Sequence, residues 1–233
     1  MTEPVIQQQT SMLRHFFIAA FAMAMVGCSH LPLSETDPPG EPVEGAPETS
    51  AEPQDAPGAA IAVGNGARVE LFASLRTRGQ ALAPGDLGYF LDVHEARLRQ
   101  ILTASPIRMQ RTEDRLLLTI PGSLSFDTDS AKVVDAVIPM LGDIAAVLVE
   151  FDKTLVSVLG NTDDRGDAVY NQSLSERRAV AVALILASMG VAKDRLVGIG
   201  YGQERPAIEG ETDRARTANR RIEILIEPVI AGS

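Results

Sequence analysis

Apolar residues recur along this chain in two periods, one of about two residues and one of about 3.6, and the switches between them mark out its elements. Asp114 to Ile120 reads as a strand, with Leu116, Leu117 and Leu118 in an unbroken apolar run. Pro121-Gly122 breaks it, and an extended segment is expected to resume from Leu124 to Asp127. Val133, Val137, Met140, Leu141, Ile144, Val147 and Leu148 then fall at helical spacing, with Pro139 either kinking that helix or beginning its main part. Thr154 to Leu159 reads as a second strand ending at Gly160. Ser173-Leu-Ser-Glu176 has the form of a capping box opening a helix that Gly190 closes. Arg195 to Tyr201 is a third strand. In the last, Ile222, Ile224 and Ile226 alternate with Glu223, Leu225 and Glu227 until Pro228 stops it. Strands alternating with helices imply an α/β sandwich, with helices on a mixed sheet.

Upstream, Leu87, Leu91, Leu98 and Leu102 form one stripe of a helix expected over 86–102, capped by Asp86 and carrying an i,i+4 pair of Glu95 with Arg99. His94 shares the stripe and reads as a partly buried packing residue. Residues 61–82 show no clear period and are assigned no element. From Leu31 to Gly58 the chain is rich in Pro, Glu, Gly, Ala, Ser and Thr, with almost nothing apolar to offset its ordering entropy. It is expected to be an extended, disordered tether. Before it, the apolar run Phe16 to Val26 is too short for a bilayer span but suits a signal-peptide core, and it ends Met25-Val26-Gly27-Cys28. That ending resembles the lipobox of bacterial lipoproteins, in which the cysteine is acylated and becomes the mature N-terminus. Ser29, rather than Asp, follows it, which favours the outer membrane. Glu3 is unusual in a positively charged leader, so Met12 is an alternative start.

Composition narrows the function classes. A formal net charge of -10 and a pI near 4.8 would repel a phosphate backbone, and 4% aromatics with no Trp leave little for base stacking. A nucleic-acid partner is not expected. Cys28 is the single cysteine and the histidines are His15, His30 and His94, so from Pro106 onward neither Cys nor His exists. Cys/His zinc sites and Cys–His or Ser–His catalysis are excluded there. No metal site or cofactor is expected.

Four blocks occur in order: Gly160-Asn-Thr-Asp-Asp-Arg-Gly166, Tyr170-Asn-Gln-Ser-Leu-Ser-Glu-Arg-Arg-Ala179, Gly200-Tyr-Gly-Gln-Glu-Arg-Pro206 and Asn219-Arg-Arg-Ile-Glu-Ile224. Over residues 107–228 the chain resembles the OmpA-like peptidoglycan-binding domains shared by Pal-type lipoproteins, OmpA and MotB. With its helical preface and Gly122-Ser-Leu-Ser-Phe-Asp-Thr-Asp-Ser130, it looks most like the YiaD/YfiB-type outer-membrane lipoproteins. The resemblance implies an α/β (α+β) two-layer sandwich with about four strands. It also implies non-covalent binding of the peptidoglycan stem peptide at diaminopimelate, whose side-chain end carries both an amine and a carboxylate. By motif position Asp163 receives the ammonium and Arg178 the carboxylate, which a guanidinium fork grips in bidentate fashion. Asp129, where relatives often place Asn, with Asn171 and Arg221, completes the implied site. Asn161 departs from the family, many of whose members have His there.

The expected organisation is a signal peptide over 1–27, acylated Cys28 with its tether over 28–60, a helical extension over 61–105, the peptidoglycan-binding domain over 106–228 and a tail over 229–233. Anchoring between outer-membrane lipid and wall follows, without catalysis. Two alternatives stand beside it. One is a regulatory lipoprotein of YfiB type that also engages a periplasmic protein through the 86–102 helix. The other is a wall hydrolase using paired carboxylates such as Asp163, Asp164 or Asp167, which would need one raised pKa where nearby arginines favour ionised forms. Glycines 198, 200 and 202 resemble a phosphate loop only superficially, since no helix follows directly.

If Cys28 is the acylation site, cells expressing the chain should incorporate labelled fatty acid into it, and the protein should fractionate with outer membrane. Cys28→Ser should do neither, and a variant that keeps the label would overturn the anchor.

Overall fold

A computed structural model of the chain describes residues 60–232. The signal segment, Cys28 and the tether fall outside the described residues.

The chain enters through a two-residue strand β1 (Ala62–Val63) and helix α1 (Gly64–Thr77), where no element was expected. Helix α2 (Leu87–Leu102) follows, then β2 (Arg108–Arg111), β3 (Leu116–Pro121) and a single helical turn α3 (Gly122–Ser125). That turn replaces the extended continuation expected after Pro121-Gly122. Helix α4 (Ile138–Glu150) has Pro139 in its first turn, where a missing N–H costs nothing, so the proline begins the helix rather than kinking it. Strand β4 (Thr154–Asn161), helix α5 (Ala168–Ser188), strand β5 (Leu196–Gly200), helix α6 (Asp213–Asn219) and strand β6 (Arg221–Pro228) complete the order.

The mixed α/β class is as expected, but the sheet has six strands rather than about four, in the order β1-β5-β4-β6-β3-β2. The two additions sit at its edges. Strand β2 reads Arg-Met-Gln-Arg, too polar to signal a strand, yet it pairs antiparallel with β3. Strand β1 runs parallel to β5, as β4 does, and β6 is antiparallel to both β4 and β3.

Alternation assigns the faces. Leu116, Leu118, Ile120, Val156, Val158, Ile222, Ile224 and Ile226 join α2, α4 and α5 in the main core. On the other face, Leu155 packs with Leu75 and Phe72 of α1, while Leu159, Val197 and Ile199 pack with Ala67 and Leu71. Helix α1 therefore adds a third layer over β4 and β5, which is why β4 is buried at all eight positions. The stretch 229–231 is tied down too, the Ala231 N–H donating to the Leu82 carbonyl at 2.9 Å. Val229 is fully buried beside Leu75, and Leu82 and Val229 are joined by a 2.7 Å backbone bond.

Two helix starts differ from expectation. Asp86 makes no side-chain cap, because a 3-10 turn beginning at Pro84 already leads into α2. Helix α5 opens at Asp167, whose carboxylate accepts the Tyr170 N–H at 2.9 Å, and not at Ser173. Ser173 lies inside the helix and bonds Arg177 instead. The expected pair of Glu95 and Arg99 forms at 2.6 Å. Gly190 closes α5 with φ 102°, a left-handed conformation open to glycine.

Two charged or titratable groups are buried near the C-terminal end of α4. Arg195 donates to the carbonyls of Leu148, Phe151 and Thr154, each at 2.9 Å, satisfying the C-terminal end of α4 and the turn beyond it. His94 is fully buried, more than expected, stacked on Phe151 at 4.2 Å with Phe90 edge-on at 5.8 Å. Neither ring nitrogen has a hydrogen-bond partner. Burial, and secondarily the Arg195 charge, push its pKa from 6.5 down to about 4.

The unfolded chain therefore takes up a proton at His94 before the folded one does. Above pH 6.5 this group gives no pH dependence, and stability should fall as the pH drops from about 6.5 to about 4. The loss approaches roughly 3 kcal/mol. Urea titrations at pH 7 and pH 4.5 should show it, and His94→Phe should lose much less over that interval. Equal losses in both proteins would refute the assignment.

Candidate functional site

Glycine brings the site together by letting α5 lie against the sheet. A Cβ on Gly160 would sit 2.0 Å from the Ser175 carbonyl oxygen, and one on Gly200 2.6 Å from the Glu176 nitrogen, distances no side chain tolerates. Ser175 adds a tie, its hydroxyl accepting the Gly202 N–H at 2.8 Å. Glycines 198 to 202 thus serve packing, and no helix follows β5 directly.

Between the loop after β4, the first turns of α5, the 126–130 segment and Arg220 lies a cleft of about 730 Å³. Asp163 lines it from the loop. Its Oδ1 accepts the Arg165 N–H at 3.2 Å, a local turn bond, while its Oδ2 accepts Arg220 Nη1 at 2.5 Å. The carboxylate thus has both a structural and a cleft-facing side. Arg178 enters from the third turn of α5, further into the helix than the capping box implied. It is buried, its Nε donates to the Ser130 carbonyl at 2.8 Å and its Nη2 to the Asp127 carbonyl at 3.3 Å. The guanidinium lies over the Phe126 ring at 5.0 Å. Burial lowers its pKa below the ordinary arginine value, and the charges of Asp129, Tyr170 and Asp163 oppose that.

The fold therefore brings Asp163, Arg178, Asp129 and Asn171 to one cleft. Asp129 is exposed and has φ 53°, the one non-glycine residue in the left-handed region among the described residues. Asn171 is mostly occupied within the protein, its amide donating to the Arg165 carbonyl at 2.8 Å and to Gln203 at 3.1 Å, so it braces the loop.

Arg221 is a correction, because it does not reach the cleft. Ile222, Ile224 and Ile226 face the main core, so strand alternation turns Arg221 to the opposite face. There Glu223 at 2.9 Å and the carbonyls of Asn219 and Arg205 use its donors. Its neighbour Arg220, ahead of the strand, is the arginine that lines the cleft. The signal for the swap was in the isoleucine alternation. Phe126 and Tyr170 were also missed; nothing in sequence separates a cleft aromatic from a core one.

Asp164 points away from Asp163, bonded to Arg216 at 2.8 Å, and that bond holds its carboxyl below the usual range. Asn161, at the family's usual His position, is buried and does not line the cleft. Among the described residues no cluster of three or more His, Cys, Asp or Glu is placed to hold a metal ion.

The OmpA family profile matches residues 125–220, which hold every cleft-lining residue except Gly122 and Ser123. The protein named "Probable lipoprotein YiaD" of Escherichia coli is 36% identical over 145 residues, 62% of this chain and 66% of that protein. The peptidoglycan-associated lipoprotein of Legionella pneumophila is 35% identical over 102 residues, 44% of this chain and 58% of that protein. The solved cell wall anchor of the T6SS from Pseudomonas aeruginosa superposes with a TM-score of 0.51 at 33% identity, covering 56% of this chain and 96% of that one. The chain thus spans somewhat under two thirds of the two curated relatives, and nearly all of the solved anchor. With that profile, these relatives and a shared fold, the chain belongs to the OmpA family.

Proposed function

We propose that the chain is a non-catalytic lipoprotein of the outer membrane, anchored through acylated Cys28, that holds peptidoglycan by the diaminopimelate of its stem peptide. One observation carries the site: Asp163 and Arg178, opposite in charge and distant in sequence, line one cleft. A zwitterionic end group needs a fixed anion and a fixed cation, both partly shielded from water, where charge-assisted bonds strengthen. Arg178 is held in place by loop carbonyls and stacked on Phe126, so its fork is ordered before any ligand arrives. The ligand ammonium competes with Arg220 for Asp163 and releases that guanidinium. The names of the relatives, a peptidoglycan-associated lipoprotein and a cell wall anchor, support the same reading.

Hydrolysis is less well supported. Asp163 and Asp164 diverge to different arginines, and Asp164 is held ionised rather than protonated as a general acid must be. A partner on α2 is a second role with its own observation, for Tyr89 is 77% exposed and Val93, one turn on, is 38% exposed. If that face binds a periplasmic protein, crosslinks formed from it in cells should be lost in Tyr89→Asp while wall binding persists. Unchanged crosslinks would remove the role.

Asp163→Ala and Arg178→Ala should each weaken co-sedimentation with purified sacculi, by an amount equivalent to about 2–5 kcal/mol. Arg178→Lys should restore only part, because a point charge cannot reproduce the fork. Asp164→Ala should matter little. Two folded alanine variants that sediment like the wild type would refute the clamp, and release of reducing sugars from the sacculi would refute the non-catalytic reading.

The neighbouring arginines should separate cleanly. Arg221→Ala strands the buried Glu223 carboxylate and should cost about 3 kcal/mol of stability, read as a lower Tm. Arg220→Ala, at a side chain 38% exposed, should lower the Tm less than Arg221→Ala and alter wall binding. The reverse pattern would place the wrong arginine in the cleft.

A further inference from the structure

We propose that the wall polymer is gripped twice, a second stem peptide lying by its carboxylates in an arginine-lined groove that adjoins the cleft. This rests on the peptidoglycan reading above and adds a subsite to it.

The groove, of about 830 Å³, is bounded by the edge strand β2, the end of β3, residues 207–208 and helix α6. Its charged lining is Arg108, Arg214 and Arg221 against Asp213, a formal +2 on a chain whose net charge is -10. Glu209 and Glu211, close by in the chain, are outside the lining. Internal pairs account for two of the four groups. Arg221 is bonded to the buried Glu223 at 2.9 Å, and Asp213 to Arg165 at 3.2 Å. Arg108, on β2, and Arg214, on α6, are exposed, and among the described residues neither has a hydrogen bond or an ion pair. Both are therefore available to a ligand. Pro121, Ile208 and Ala218 supply apolar surface beside them, and Gln110 and Thr119 supply an amide and a hydroxyl. That set suits a carboxylate-bearing peptide, whose amides need partners between its charges.

The groove and the cleft share a wall. Gly122 and Arg220 line the cleft, and their chain neighbours Pro121 and Arg221, paired across β3 and β6, line the groove. Arg220 also donates to the Thr217 hydroxyl of the groove at 3.2 Å, and the pair of Arg165 with Asp213 joins one lining to the other. Stem peptides repeat along a glycan strand, so a polymer held at one opening presents further carboxylates to the other at high effective concentration. A single stem peptide has no such second hold. The groove thus adds to the grip on assembled wall and little to the grip on one peptide.

The test uses the full-length chain in detergent, purified sacculi and a synthetic stem tripeptide ending in diaminopimelate. Arg108→Ala combined with Arg214→Ala should weaken co-sedimentation with sacculi about tenfold, while calorimetry gives the tripeptide its wild-type affinity. Arg76→Ala with Lys153→Ala, which removes the same charge outside both linings, should leave sedimentation at the wild-type level. Equal losses in the two double variants would mean overall charge alone, and an unchanged groove variant would mean no subsite. Either result overturns the inference while leaving the clamp intact. So does a tripeptide affinity that falls as far as sedimentation, since the arginines would then act at the cleft. If inorganic phosphate binds the wild type and not the groove variant while sedimentation is unaffected, the groove serves a phosphate group and the inference is again overturned. A wild type that binds neither sacculi nor tripeptide fails the peptidoglycan reading itself.

Discussion

Helix α5 lies almost backbone to backbone on β4 and β5, and the cleft depends on that approach. Three glycines permit it at the contact, with Gly198 facing Val180 as Gly160 and Gly200 face Ser175 and Glu176. A methyl group at Gly160 could not be absorbed by a side-chain rotation, because the obstacle is a carbonyl of the helix itself. The helix would have to rise, and everything it carries would rise with it. Arg178 would leave the carbonyls of the 127–130 turn, and Asn171 would leave the loop that presents Asp163. Close packing of this kind converts a few missing side chains into positional accuracy elsewhere.

The arginines show how one residue type is divided between the interior and the cleft. Arg195 and Arg221 have their donors turned inward, to the end of α4 in one case and to Glu223 and two carbonyls in the other. Buried and paired in this way, such groups are costly to disturb. Arg178 and Arg220 are anchored more lightly. Arg178 bonds only backbone carbonyls, and Arg220 pairs with a carboxylate that a competing cation can claim. Within the cleft, Asp163 and Arg220 thus satisfy each other.

Much of this was legible in sequence, for reasons that also explain the failures. Strands β3 to β6 and helices α2, α4 and α5 bury continuous or alternating apolar sets, and those sets are what periodicity detects. Helix α1 opens Gly-Asn-Gly and buries a narrow stripe, and β2 is half charged, so neither carried a signal above its surroundings. The start of α5 was misplaced because a serine box competed with an aspartate six residues earlier, and only geometry shows which carboxylate or hydroxyl reaches a free N–H. Motif position singled out Asp163 and Arg178, which line the cleft, and Arg221, which does not; Arg220 lines it instead, since a motif does not count strand parity.

Strand β6 holds the centre of the sheet, between β4 on one side and β3 on the other, although it is the last of the described strands along the chain. Until it emerges, β1, β5 and β4 can pair among themselves, and β2 with β3, but the two groups have nothing to join them. Both would expose unpaired edges in the meantime. Assembly is thus held back until the final segment is available, which makes the fold rich in distant contacts and slow to close. Arg220 immediately precedes that strand, so the cleft is completed in the same step that completes the sheet. A chain arrested before that point would be left with two half-sheets, exposed apolar surface and no binding site, a form that quality-control proteases can recognise.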